Sequence, residues 1–573
     1  MIKTILDILN KDEKINLYFI IFLFIIISIL ELLSIGLIYP LMYFIFDNSY
    51  INNFYYKKYI ADFNFSKNTF VALNFAFIVL LYFCKNLFII FVKLKTFKYR
   101  RSLELRVSNN ILTKYFFIDY EKIYNKTTEH IFRNINITRD FSSTVFALTG
   151  LFQEILTFIL LIGFLTYLDP EFVIFIFFIF AMVILLFYFA GKKKLFKLGD
   201  KSQVNEKALY KVIFEGVSAL KIIKLFGKEQ YTLNKIMSKI EVEANIKVKS
   251  DLLLQLPSHI IEVLAILIIS ILGIFVTNNT NNTVDIISTI AIFAAATTRL
   301  VPSSTRIIAY LQNLRYYLPK VYIIKSEIEK NEVIQFTKKI TNKVKNLNKI
   351  SFNKDINLKN LTFYYKRNIP IFNSLSLQIN KKEFIGIYGE SGSGKSTLNN
   401  LITGLLTPKN GEILVDGDSV HENIRDWQKK VGFVPQQPFF SNDTIKNNIL
   451  FGENPSKVNT KILNQVIKYS QLEAFLHTLP RGINTHIGEK GINLSAGQLQ
   501  RISIARALYK KPDLLILDEA TNALDEENEK TFFACIEKLK GKITVIINSH
   551  QKHNFYFCDK IYKVNNFTLK KIK

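Results

Sequence analysis

The run Phe384-Ile385-Gly386-Ile387-Tyr388-Gly389-Glu390-Ser391-Gly392-Ser393-Gly394-Lys395-Ser396-Thr397 settles the C-terminal part of this chain. Its first five residues form an apolar run of strand length, and a helical pattern begins at Leu398. Glycines between a strand and a helix let successive backbone N–H groups close on anionic oxygens, and the helix N-terminus adds a favourable dipole. The spacing brings Lys395 to the terminal phosphates of a nucleotide and the Ser396 hydroxyl to Mg²⁺. Gly389, Ser391, Gly392, Ser393, Gly394 and Thr397 complete the expected cradle. A glycine-rich turn alone is a weak signal. Here the strand and the helix both stand where phosphate binding needs them.

Two further apolar runs support the same chemistry. Leu514-Leu515-Ile516-Leu517 ends in the adjacent carboxylates Asp518 and Glu519. Asp518 is expected to hold Mg²⁺ through water, and Glu519 to polarise a water attacking the γ-phosphate. Ile543-Thr544-Val545-Ile546-Ile547 delivers His550 just beyond its end. A lone histidine is more often solvated or structural; this one gains weight from its company. Ligands of open α/β sheets lie outside the carboxyl ends of the strands, where all three polar groups fall.

Between these runs stands Leu494-Ser495-Ala496-Gly497-Gln498, followed by Leu499-Gln500-Arg501-Ile502-Ser503-Ile504-Ala505-Arg506-Ala507-Leu508. The segment resembles the signature motif and helix of ATP-binding-cassette proteins. Ala496 stands where the family usually has glycine, a change that keeps the backbone N–H and favours the helix start. The resemblance extends over about residues 356–573. It implies an adenine-stacking role for Tyr365, a metal and water contact for Gln436, and a nucleotide-site place for Asp525. Gly488-Glu489-Lys490-Gly491 resembles an element of the exporters in this family. Ser495, Ala496, Gly497 and Gln498 would complete the ATP site of a second cassette. The sequence holds one cassette, so a homodimer with two competent sites is expected.

A net charge of +27 invites a nucleic-acid reading. The sequence is also 49% hydrophobic, with positive mean hydropathy, and many lysines flank apolar spans. Enrichment of basic residues at the cytoplasmic membrane face explains the excess without nucleic acid. Cys84, Cys535 and Cys558 lack metal or redox spacing.

Apolar spans fall at roughly 17–46, 69–95, 140–168, 170–190, 251–276 and 284–310, each long enough to cross a bilayer. The charged leader Met1–Lys14 does not have the shape of a cleavable signal. Lys95, Lys98, Arg100 and Arg101 follow the second span, and Lys192-Lys193-Lys194 the fourth; the connections after the third and fifth carry no Lys or Arg. Both termini and the cassette are therefore expected in the cytoplasm of a bacterial inner membrane. The fold class expected is a membrane protein with an N-terminal all-α six-helix transmembrane domain (residues 1–315). A polar linker (316–355) and a C-terminal α/β P-loop cassette (356–573) follow. Glu215 to Glu229 resembles an exporter coupling segment and should touch a cassette.

Intramembrane charges are costly and mark functional sites by default. Arg299 and Arg306 lie seven apart on one helix face, Lys85 interrupts the second span, and His259 opens the fifth. Facing one another they would form a cationic belt for a phosphate or pyrophosphate; the alternative is pairing with Glu31, Glu154 or Glu262. The span order, the arginine pair and the aromatic external segment Asp47–Phe65 with Lys57 and Lys58 resemble bacterial flippases of lipid-linked oligosaccharides. That resemblance implies a polyprenyl-pyrophosphate-linked glycan as substrate, with membrane lipids as surroundings. Rival cargoes are a lipid A-like lipid, a peptide or an amphipathic drug. A non-transport cassette ATPase is disfavoured by the six spans.

Overall fold

The computed structural model describes residues 2–37, 67–123, 126–168, 170–279, 283–329, 349–366, 369–454, 458–488, 494–521, 526–565 and 567–573. The external aromatic segment with Lys57 and Lys58, the exporter-like residues 489–491 and Asp525 lie outside them. The chain forms two compact units: Met1–Ile118 with Lys126–Thr337, and Lys338–Lys573 with the excursion Asp119–Asn125.

The first unit is helical throughout its described residues. A short α1 (Ile2–Ile8) precedes α2 (Lys11–Gly36), and α3 (Lys67–Phe117) follows; the excursion then forms α4 (Tyr120–Ile123) in the second unit. The first unit continues with α5 (Thr128–Leu168), α6 (Pro170–Ser218), α7 (Leu220–Leu225), α8 (Glu229–Asn279) and α9 (Thr283–Glu329). Among the described residues, α2 and segments of α3, α5, α6 and α8 are long and apolar enough to cross a membrane. The remaining long helix, α9, carries Arg299, Arg306 and Arg315, which dilute its apolar run. The buried core joins Phe158, Leu161 and Leu165 of α5, Ile176 of α6, Ile268 and Leu272 of α8, and Ala296 and Leu300 of α9.

The linker expected from residue 316 is corrected by α9, which runs unbroken to Glu329. Leu314, Leu318, Val321 and Ile324 recur at helical spacing and are buried, so an apolar stripe runs through a stretch that is polar on average. Lys320 is buried in this stretch and bonds Asp140 at 2.7 Å and Glu206 at 3.0 Å. Those partners tie α9 to α5 and α6.

Glycine sets the approach of α9 to α6. A Cβ at Gly199 would lie 2.0 Å from the Tyr316 carbonyl oxygen, whereas one at Gly163 would meet nothing within 4 Å.

The second unit has two sheets. The antiparallel one orders β2 (Ile369–Asn380), β1 (Asp355–Lys366), β4 (Asn410–Val415) and β5 (Asp418–Ser419). The other has β3 (Phe384–Tyr388), β6 (Val431–Val434), β7 (Leu514–Asp518), β8 (Thr544–Ser549), β9 (Lys560–Asn565) and β10 (Thr568–Lys571), ordered β10-β9-β3-β8-β7-β6. Its strands are parallel except at the β9–β10 edge. Leu515, Leu517, Val545 and Ile547 enter one apolar cluster, while Leu514, Ile516 and Ile546 enter another. Both faces are covered, so these strands read as continuous apolar runs rather than alternating ones. In the excursion, the Glu121 carboxylate of α4 pairs with Lys409.

Gly199→Ala is expected to cost about 1–3 kcal/mol through forced separation of two helices, whereas Gly163→Ala should be neutral or slightly stabilising. Thermal unfolding of the detergent-purified chain checks this contrast, with a lowered midpoint for the first variant alone.

Candidate functional site

The site lies at the carboxyl ends of β3, β7 and β8. After β3 the chain turns through Gly389–Gly394 into α10 (Lys395–Ile402). Gly392 and Gly394 have φ of +80° and +103°, a region where side chains other than glycine are strained. A Cβ at Gly394 would also press on Ile371 and Phe372. The loop therefore keeps a bare backbone, and the buried Ser393 hydroxyl has no hydrogen-bond partner among the described residues. An orphaned hydroxyl beside unblocked N–H groups fits an anionic ligand.

Lys395 is 3% exposed. Its Nζ donates to the Gly389 carbonyl at 2.8 Å and the Glu390 carbonyl at 2.9 Å, and pairs with Glu519 Oε1 at 2.9 Å. Glu519 follows β7 with φ of +50°, a costly conformation that turns its carboxylate back over the loop. Gln436 Nε2 donates to Glu519 Oε2 at 3.2 Å. The Ser396 hydroxyl donates to Asp518 Oδ1 at 3.2 Å. Burial raises the Asp518 pKa, opposed by hydrogen bonds from Asn548 and Ser396. A hydroxyl, a carboxylate and a nearby amide are hard oxygen donors of the kind Mg²⁺ takes alongside phosphate.

The Tyr365 ring is half exposed, and its hydroxyl stands 3.5 Å from the Thr397 hydroxyl, which places it beside the loop. His550 is exposed just past β8. The structure thus brings Lys395, Ser396, Asp518, Glu519 and Gln436 into direct contact. The signature segment behaves differently. Ser495 caps α11 (Ala496–Tyr509) by a reciprocal pair: its hydroxyl accepts from Gln498 N–H, and Gln498 Oε1 accepts from Ser495 N–H. Ser495 and Ala496 are exposed, Gly497 is buried, and no recorded hydrogen bond joins these residues to the loop among the described residues.

Three supporting residues escaped the sequence reading. Gln500 donates to the Gln436 carbonyl at 3.3 Å, so α11 holds the loop that presents Gln436. Arg506 donates to the Asn448 and Phe439 carbonyls at 2.7 and 2.6 Å and lies 4.8 Å from the Phe440 and Phe451 ring centres. Burial lowers its pKa to about 10. Asn548 Nδ2 donates to Asp518 Oδ1 at 3.0 Å. Its only sequence signal is an amide ending an apolar strand.

In the first unit, Arg299 and Arg306 share the expected face, because both approach Glu154, at 4.0 and 3.2 Å. Arg299 also pairs with Glu31 at 2.6 Å. The pairing alternative is therefore realised for both arginines. Lys85 donates to the Ser34 hydroxyl at 3.2 Å and lies 3.9 Å from the Tyr82 ring centre. His259 is exposed. Thr283 to Arg299 and Glu154 to Leu168 are 16 and 14 steps, about 24 and 21 Å along their helices at about 1.5 Å per residue. The charges thus form one layer.

Residues 372–522 match the ABC transporter family. A putative export ATP-binding/permease protein of Rickettsia typhi is 45% identical over 196 residues, 34% of each chain. An ATP-dependent lipid A-core flippase of Pseudoalteromonas translucida is 41% identical over 216 residues, 37% of each. The chain spans about a third of the length of the curated relatives it matches. The solved structure of a bacterial Atm1-family ABC exporter with ATP bound superposes with a TM-score of 0.76 at 18% identity, covering 98% of this chain and 94% of the other. The chain has the Atm1-type ABC exporter fold.

Arg506→Lys should lower the second unit's stability by about 2–3 kcal/mol, because one ammonium cannot replace the guanidinium's fork of bonds in a buried place. Denaturant unfolding monitored at Trp427, packed in this unit, would register the loss.

Proposed function

We propose that two copies of this chain form an ATP-driven exporter in a bacterial inner membrane, with termini and cassettes cytoplasmic. The observation that carries the reading is the convergence of Lys395, Ser396, Asp518, Glu519 and Gln436 at three strand ends. The exporter fold and the family match of the cassette support it.

Lys395 binds the terminal phosphates. Phosphate oxygens reaching the loop compete with Glu519 for its ammonium, which releases the Glu519 carboxylate to orient and polarise water. Gln436 steadies that carboxylate through its amide and would be a further ligand toward Mg²⁺. Ser396 and Asp518 would hold Mg²⁺, which would supply charge neutralisation at the phosphates. Tyr365 stacks on the adenine, and His550 contacts the γ-phosphate from beyond β8. Ser495, Ala496, Gly497 and Gln498 present their helix start to the nucleotide of the other copy. Closing two cassettes around ATP and releasing them after hydrolysis biases the membrane helices between two arrangements.

The cargo we assign is a phosphate-bearing lipid, a polyprenyl-pyrophosphate-linked oligosaccharide in the sharpest form, moved toward the periplasmic leaflet. Lys85, Arg299 and Arg306 oppose Glu31 and Glu154, so the charged layer keeps one positive charge in excess. Arg306 is 42% exposed and able to exchange a carboxylate for a phosphate. A lipid A-like cargo is the second reading, favoured by the similarity to the P. translucida flippase; that similarity covers about a third of the chain.

Glu519→Gln should trap bound ATP and reduce turnover at least 100-fold, and Lys395→Ala should abolish hydrolysis; phosphate release by the purified chain measures both. Rapid steady hydrolysis by Glu519→Gln would remove the water-orienting role. In proteoliposomes, the double variant Arg299→Ala and Arg306→Ala should lose flipping of a pyrophosphate lipid more than basal ATPase. Undiminished flipping would remove the charged layer from substrate handling.

A further inference from the structure

Asn548, the penultimate residue of β8, stands in register with Asp518 of β7 on one side and Ile387 of β3 on the other. Side chains alternate along a strand, so Asn548 shares a face with Ile546, and Asp518 with Ile516. Ile546 and Ile516 belong to the cluster that packs α10 through Leu398 and Leu401. Asn548 and Asp518 therefore emerge toward the helix that carries Ser396.

At 2% exposure the Asn548 amide is shut off from bulk water. Its Nδ2 donates to Asp518 Oδ1, the oxygen that also accepts from Ser396. That assignment is chemically forced for an ionised carboxylate, which accepts and cannot donate. The other end of the amide, Oδ1, is buried and has no hydrogen-bond partner among the described residues. An isoleucine continuing the Ile546-Ile547 run would fill such a place at no polar cost. A buried amide left half-satisfied is destabilising. The orphaned acceptor points to a donor that arrives with the ligand.

We propose that Asn548 is a positioning residue of the metal centre. It fixes the Asp518 carboxylate through Nδ2, and its Oδ1 accepts a hydrogen bond from a water in the Mg²⁺ hydration shell. Magnesium keeps several waters when held by one carboxylate and phosphates, and such waters are donors in need of acceptors. Partners in this outer layer set metal affinity more than they set the chemistry. The proposal rests on the ATP and Mg²⁺ reading above and assigns a further residue to it.

The test uses full-length chain in nanodiscs with Asn548→Leu, of similar volume and no hydrogen bonds, and Asn548→Thr, whose hydroxyl donates and accepts. Mn²⁺ binding is followed by electron paramagnetic resonance with a non-hydrolysable ATP analogue. The Mg²⁺ dependence of turnover is measured in parallel. Asn548→Leu should weaken Mn²⁺ binding about 10-fold or more and raise the Mg²⁺ requirement equally, with turnover at saturating Mg²⁺ reduced far less. Asn548→Thr should recover part of the affinity, and nucleotide binding in excess chelator should match the parent. Unchanged Mn²⁺ affinity in Asn548→Leu overturns the proposal. Loss of nucleotide binding in chelator also overturns it, because Asn548 would then be supporting only the fold. Failure of the parent chain to bind nucleotide at all would strike the ATP reading instead.

Discussion

One buried ammonium organises the second unit. Lys395 sits almost free of solvent, between two loop carbonyls and the Glu519 carboxylate. A charge in that position is tolerable only while opposite charge or strong acceptors surround it. The loop glycines allow the carbonyls to converge, and the left-handed backbone at Glu519 brings the carboxylate over. Phosphate supplies the same compensation as Glu519 with more negative charge. On the proposed function, nucleotide binding would be an exchange of partners at Lys395 that releases the Glu519 carboxylate.

The same principle recurs in the helical unit with a different result. Arg299 and Arg306 meet Glu31 and Glu154, which joins α2, α5 and α9 through a charged layer where hydrocarbon would otherwise lie. Lys320 makes a second such tie between α5, α6 and α9. Buried pairs of this kind contribute little net stability but are expensive to break one-sidedly, so they fix which helices stay together. The two arginines and two glutamates balance, and Lys85 beside Ser34 adds a further cation among the described residues.

Much of the cassette was legible because its signals are local. Apolar runs of strand length, a glycine loop and adjacent carboxylates each occupy a few consecutive residues, and parallel strands buried on both faces leave an unmistakable pattern. The long apolar helices were legible for the same reason. What stayed open or escaped depends on distant partners. Glu31, Glu154 and Glu262 were equally open as partners of the arginines, and Glu31 is 268 residues from Arg299. The extension of α9 to Glu329 was hidden because a helix with one narrow buried stripe, Leu314 to Ile324, reads as polar on average. Asn548 carries no local signal of its partner, and only its register with Asp518 marks it.

Partner exchange at Lys395 matters for transport only if two chains close on ATP together, since the exposed signature start at Ser495 and Ala496 makes no recorded bond to its own loop among the described residues. Light scattering on the ATPase-active fraction, in nanodiscs with ATP and Mg²⁺ present, tests this most directly. The account predicts two chains of 66.5 kDa in every active particle. Full activity from particles holding a single chain would contradict it.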